Sequence, residues 1–177
     1  MKKIILLAAV LLSMSSCLKK ATTVNFTTEL SVTSDEITVN EGYERSPAAG
    51  DFSVEFTLDM DNPQVHDYLD KLKDLDLENV RLRFQGLSGL QNNQVPTHLR
   101  ITFDDQITID LDNFVWANVA GGQEYPLTQT DQIERLAQLL LQKRAVNVRI
   151  QGQIPDSAPY HFFITLAATA HITAGLL

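Results

Sequence analysis

The chain has a single cysteine, Cys17, in 177 residues. No disulfide can close within it, so the fold has to be held by its core alone. Positive charge is scarce: 14 Lys and Arg stand against 22 Asp and Glu, a formal net charge of −8. An acidic chain without a basic patch and interleaved aromatics does not point to nucleic acid as a partner. Long apolar runs are missing too. Ile4 to Leu12 is apolar for nine residues, well short of the roughly 20 that a membrane span needs. Catalytic signatures are equally sparse. The nearest string to a G-x-S-x-G elbow is Gly86-Leu87-Ser88-Gly89, which lacks the spacing. There is no H-E-x-x-H, no glycine-rich phosphate loop and no second cysteine to act as a nucleophile. No catalytic residue and no cofactor is indicated.

What is present begins with a leader. Lys2 and Lys3 form a basic head, the apolar run follows, and Ser13 to Ser16 are slender residues before Cys17. That order describes a secretory signal peptide over residues 1–16. Cys17 itself could be a chance thiol, half of an intermolecular disulfide or a metal ligand, although the nearest histidine is His66. The stretch Met14-Ser15-Ser16-Cys17 resembles the lipobox of bacterial lipoproteins, with Met14 where Leu is commoner. The resemblance implies that the Cys17 sulfur carries a diacylglyceryl group and that the leader is cut just before it. Each buried methylene would add about 0.8 kcal/mol, and more than one acyl chain anchors stably. Leu18 stands where an Asp would retain a lipoprotein in the inner membrane, which implies the outer membrane. Lys19 and Lys20 are the opposite of an acidic surface-export signal, which implies the periplasmic face. The resemblance ends at residue 17.

Removing the leader leaves 161 residues, enough for one domain with a real core. Residues 17–22 form a lipidated cysteine and short tether. The five residues after Cys17 reach about 18 Å at most, so the domain sits close to its membrane. Residues 23–177 form a single β-rich domain.

Period-two alternation dominates that domain. It runs through Val24, Phe26, Thr28, Leu30 and Val32, then Ile37 and Val39. It returns in Phe52, Val54, Phe56, Leu58 and Met60, and again in Val80, Leu82 and Phe84. Leu99, Ile101 and Phe103 are followed by a turn at Asp104-Asp105-Gln106 and a hairpin partner from Ile107 towards Trp116. Val146, Val148 and Ile150 make another strand, and Tyr160 to Ile172 a long last one. Residues 40–51 and 86–94 read as loops, and 117–130 as loop with a short strand at best. Two stretches follow helical spacing instead. Asn62 and Pro63 suit a helix start before Val65, Tyr68, Leu69, Leu72 and Leu75. Thr128 or Thr130 can cap a second helix carrying Ile133, Leu136, Ala137, Leu140 and Leu141, with Lys143 and Arg144 at its end. The class is α+β: a mainly antiparallel sheet or sandwich of about eight strands with two amphipathic helices. A shift of 68 residues sets Val65 on Ile133, Leu72 on Leu140 and Asn79-Val80-Arg81 on Asn147-Val148-Arg149. That alignment admits an internal duplication, and equally the chance match of two amphipathic segments each followed by a strand.

Candidate site residues are few. Asp59-Met60-Asp61-Asn62 and Asp110-Leu111-Asp112-Asn113 share a D-x-D-N pattern. Asp59, Asp61, Asp110 and Asp112 could suit calcium, but the sixth-position Gly and terminal Glu of an EF-hand loop are missing, and turn chemistry explains them as well. Trp116 and Tyr125, beside Phe114, and Phe163 on the last strand are the aromatics that could stack on a sugar or other ligand, against the commoner reading as packing. His98, His161 and His171 fall out of phase with the core and read as solvent-facing; His161 and His171 are about 33 Å apart on a straight strand. Arg81, Arg83, Arg100 and Arg149 read as a wet sheet face. The expected function is that of a non-catalytic envelope lipoprotein binding a protein partner or apolar ligand. Its partners would be the membrane through Cys17 and an envelope protein, lipid or glycan. Lipid carriage between helices and sheet, and glycan binding or cleavage, are the alternatives.

Overall fold

The computed structural model describes residues 22–40, 50–90, 93–119, 121–156 and 158–176. The stretch expected to be a signal peptide, the lipobox-like residues and Cys17 lie outside the described residues. Among the described residues there are nine strands: β1 (Thr23–Thr33), β2 (Ile37–Val39), β3 (Gly50–Asp59), β4 (Leu72–Gln85), β5 (Pro96–Phe103), β6 (Ile107–Val115), β7 (Glu124–Pro126), β8 (Ala145–Ile154) and β9 (Tyr160–Gly175). One α-helix, α1, spans Thr130–Lys143.

The strands pair into two sheets ordered β1-β9-β4-β7 and β3-β8-β5-β6, with the short β2 continuing the β1 edge along β9. Every ladder is antiparallel. Apart from β1–β2 and the β5–β6 hairpin, each strand crosses to the opposite sheet. That strand order is a double-sheet jelly roll. The mainly antiparallel α+β sandwich expected from the alternation is therefore what forms.

Its interior follows the period of two. On β9, Tyr160, Phe162, Ile164, Leu166, Ala168, Ala170, Ile172 and Ala174 are all buried. At one end of the sandwich the rings of Phe52, Phe84, Phe114, Trp116 and Phe162 meet edge to face or tilted, with centroids 5.0 to 6.5 Å apart. The other end is plugged by α1, which buries Leu136, Ala137, Leu139 and Leu140. Neither threonine caps α1. Gln129 holds the capping position without a side-chain bond to the helix, and its Oε1 accepts from the Thr128 N–H at 3.0 Å. At the far end Arg144 adopts φ 69° and its N–H closes on Leu140 O at 2.8 Å.

The first helix does not form. Asn62 Oδ1 accepts from the N–H groups of Gln64 and Val65, as a capping residue would. Only a 3₁₀ turn over His66–Lys71 follows, and β4 begins at Leu72. Two causes combine. A segment of about ten residues is marginal as an isolated helix. The sixteen-residue β9 also offers an open ladder, on which Leu75 pairs with Ile172 and Leu77 with Ala170. Asp74-Leu75-Asp76-Leu77-Glu78 alternates, a signal that the helical reading of Leu72 and Leu75 passed over. β4 then shifts register between Glu78 and Arg81, where Asn79 takes φ 51°. This bulge moves the buried set from Leu75 and Leu77 onto Val80, Leu82 and Phe84. The 68-residue alignment consequently lays a strand residue, Leu72, on a helical one, Leu140, and β4 and β8 lie in different sheets.

Candidate functional site

The outer face of the β3-β8-β5-β6 sheet carries ordered polar side chains in strand register. Register builds it in rows. Glu55, Arg149, Thr102 and Thr108 stand side by side across the four strands, and Ser53, Gln151, Arg100 and Asp110 form the next row. Alternation sends these residues outward because their neighbours Val54, Ile150, Ile101 and Ile109 face the core.

Within the rows the charges are fixed against one another. Arg149 donates from Nε to Glu55 Oε1 at 2.5 Å and from Nη1 to Asp105 Oδ1 at 2.8 Å. The bond to Glu55 and the fields of Asp105 and Glu55 raise the Arg149 guanidinium above its ordinary pKa. Arg100 donates to Asp110 Oδ1 at 2.7 Å and is raised for the same reason. His98 joins the row, with Nε2 3.3 Å from Asp110 and Nδ1 3.0 Å from Asp112. At the hairpin turn, Asp104 Oδ2 meets Lys143 Nζ at 2.7 Å, and Oδ1 accepts the Asn147 N–H at 2.8 Å. The Lys143 bond holds the Asp104 carboxyl below the usual range, aided by the Asn147 N–H and opposed by partial burial. Two clefts open onto this face. One of about 370 Å³ is lined by Glu55, Asp104, Asp105, Lys143, Asn147 and Arg149. The other, about 430 Å³, is lined by Asp51, His98, Arg100, Gln151 and Gln153 among others.

Chemically this face offers paired donors and acceptors in strand register. Its acids lean on cations, and its amides and hydroxyls add donors in register. The opposite sheet is wet as well, with Thr27 on His171 at 3.0 Å and Thr33 on Thr165 at 2.8 Å. Arg81 there spans Glu29 at 3.1 Å and Glu124 at 3.2 Å, and Arg83 Nε donates to Gly122 O at 3.0 Å.

The residues singled out from the sequence do not converge. Trp116 is 1% exposed. Its Nε1 donates to Thr97 Oγ1 at 3.0 Å and to Gln153 O at 2.9 Å. A ring enclosed on both faces cannot stack on a sugar, so Trp116 is core rather than platform. Tyr125 is half-buried and packs on Phe114 with centroids 5.1 Å apart. Phe163 does face solvent, but on β9 in the other sheet. Nor do the four aspartates form one centre. Asp59 Oδ1 accepts the Asp61 N–H at 2.7 Å, Asp61 holds His66 Nδ1 at 2.7 Å, and Asp110 and Asp112 are held by Arg100 and His98. Among the described residues no group of three or more His, Cys, Asp or Glu side chains is arranged to hold a metal.

The histidines are exposed, in phase with the polar positions. Each also lies against a carboxylate: His66 on Asp61, His98 on Asp110 and Asp112, His161 4.0 Å from Glu36, and His171 3.3 Å from Glu78. Only the pair within the Asp61–His66 turn is local in sequence. The others needed the strand register.

No family model and no curated protein matches this chain. Among solved structures it is similar to the decameric BFDV capsid protein, at 11% identity over 84% of this chain and 99% of that one, with a TM-score of 0.42. It is also similar to Desmodium yellow mottle tymovirus, at 8% identity over 88% and 82% of the two chains with a TM-score of 0.31. Turnip yellow mosaic virus gives 14% identity over 87% and 96%, with a TM-score of 0.28.

Proposed function

We propose that the protein is a non-catalytic binding domain of the bacterial cell envelope. It is anchored through a lipid on Cys17 at the periplasmic side of the outer membrane. It takes a protein partner on the outer face of the β3-β8-β5-β6 sheet. The observation that carries this reading is the pair of charge-matched rows crossing all four strands beside two open clefts. Fixed, paired side chains suit an interface that exchanges hydrogen bonds, where electrostatic complementarity sets the partner and register. A ring-filled interior gives lipid carriage little support, and the burial of Trp116 takes one platform from the glycan reading.

The test is a photo-crosslinker placed at Thr102 or Gln151 in cells expressing the full chain. One discrete adduct is expected. It should vanish when Arg100 and Arg149 are both replaced by Glu, and a crosslinker at Thr165 on the other sheet should not give it. Adducts that ignore the arginines would overturn the assignment of this face. Binding of purified full chain to envelope glycans at the same arginines would turn the reading to the glycan alternative. The anchor is tested separately: Cys17→Ser should abolish labelling with a fatty-acid analogue.

A further inference from the structure

The long last strand, a natural guess for an open edge, is interior: β9 is covered by β1 and β2 on one side and by β4 on the other. One edge of that sheet is β1. Its eleven residues pair with β9 in one unbroken register, and among the described residues no ladder covers its other side. β1 reads TVNFTTELSVT. It has no Pro, Gly or Lys and no bulge, the devices that ordinarily block edge-to-edge pairing. Its one charge, Glu29, is held by Arg81 of its own sheet at 3.1 Å.

The other edges are defended. β7 is three residues long and includes Pro126, and the stretch of β4 it leaves without a ladder carries Lys73, Asp74, Asp76 and Glu78 and two register shifts. β6 carries Asp110 and Asp112, which would face each other across a twofold centred on Leu111. β3 carries Asp51, Glu55 and Asp59 on its outward positions.

We infer that β1 is a homodimerisation edge, pairing antiparallel with β1 of a second copy about a twofold through Thr28. A twofold perpendicular to the sheet keeps inward residues on inward residues. Centred on Thr28, it sets Phe26 on Leu30 and Val24 on Val32, and so covers the half-buried Val24, Phe26 and Val32. On the outer face it sets Thr27 on Glu29, Asn25 on Ser31 and Thr23 on Thr33. No like charges meet, and threonine faces threonine or a hydrogen-bonding partner. A centre one outward residue away, at Glu29, would set the two glutamates on each other. The result is a continuous sheet running β4-β9-β1 in one copy and β1-β9-β4 in the next. The polar outer face of the β3-β8-β5-β6 sheet stays free in both.

The test uses the full chain extracted in detergent, with its mass read by sedimentation and by native mass spectrometry from micelles. The wild type should be dimeric at micromolar concentration. Asn25→Glu with Ser31→Glu sets acid on acid twice and should weaken the dimer on the order of tenfold or more. Asn25→Glu with Ser31→Lys sets acid on base and should restore it. Hydrogen exchange on the unmodified chain reads the same claim: the dimer protects every amide of residues 23–33, while a monomer leaves alternate ones exchanging freely. A monomeric wild type, a dimer indifferent to the double-acid variant, or free alternate amides in the dimer would each overturn the inference.

Discussion

Gly152 lies opposite Phe52 on β3 and Leu99 on β5, and both side chains close over the space where its Cβ would be. A Cβ built there stands 2.9 Å from the phenyl ring and 2.6 Å from Leu99 Cδ1. The glycine is needed for want of room, since the row faces the core. Gly152→Ala should destabilise the fold by about 1–3 kcal/mol through overpacking. Thermal denaturation would show it as a midpoint lowered by several degrees. Adding Phe52→Leu should recover part of the loss, since the two sites share one space. A Gly152→Ala midpoint equal to wild type would mean that the neighbours move aside freely.

Trp116 is the one tryptophan in the chain, so its fluorescence reports a single environment. Enclosed among rings, it should emit at short wavelength and resist acrylamide quenching until the protein unfolds. Trp116→Phe keeps most of the volume but leaves Thr97 Oγ1 and Gln153 O without that donor. A loss of about 1–3 kcal/mol is expected in a denaturant titration. A red-shifted, easily quenched native spectrum would contradict the enclosure.

Asp104 joins the β5–β6 turn to the end of α1 and the start of β8. Its folded pKa lies below the ordinary value. Its stabilisation is therefore fully present above the unfolded carboxylate pKa and is lost as pH falls through the folded one. Asp104→Asn should be less stable than wild type by about 1 kcal/mol at neutral pH. The gap should close in acid, below the ordinary carboxylate range. Paired unfolding curves at neutral and acid pH decide it. A gap that persists in acid would assign the loss to packing.

His66 has the opposite sign. The hydrogen bond and charge of Asp61 raise its pKa above 6.5. The protonated form is favoured in the folded chain, so the contribution is complete below the unfolded pKa and fades as pH rises through the folded one. A proton NMR titration should place His66 above 6.5, and Asp61→Asn should return it towards that value. No change on removing Asp61 would show that the pair is not populated in solution.

The candidate site was legible only in its parts. Arg100 and Arg149 stood out as members of a wet face, but Arg81 and Arg83 belong to the other sheet. Nothing in residue spacing separates the two pairs. The partners Glu55 and Asp105 are 94 and 44 residues from Arg149, so only strand order could bring them together. Trp116 misled because a lone tryptophan after a strand looks the same whether it turns inward or outward. Its direction was set by the two acceptors that reach its Nε1.

The sequence by itself determined the alternation, and with it which residues of each strand face the core. A period of two leaves one face for apolar side chains wherever the strand pairs. It also determined the Asp104-Asp105-Gln106 turn and the apolar face of α1, both of which depend on neighbours a few residues away. Tertiary structure alone decided the fate of residues 62–78. Their local spacing fits a helix as well as a strand, and the open ladder on β9 resolved the choice. It also decided which edge of the sheet stays free, because an edge is defined by what fails to lie beside it, and no stretch of sequence contains that information.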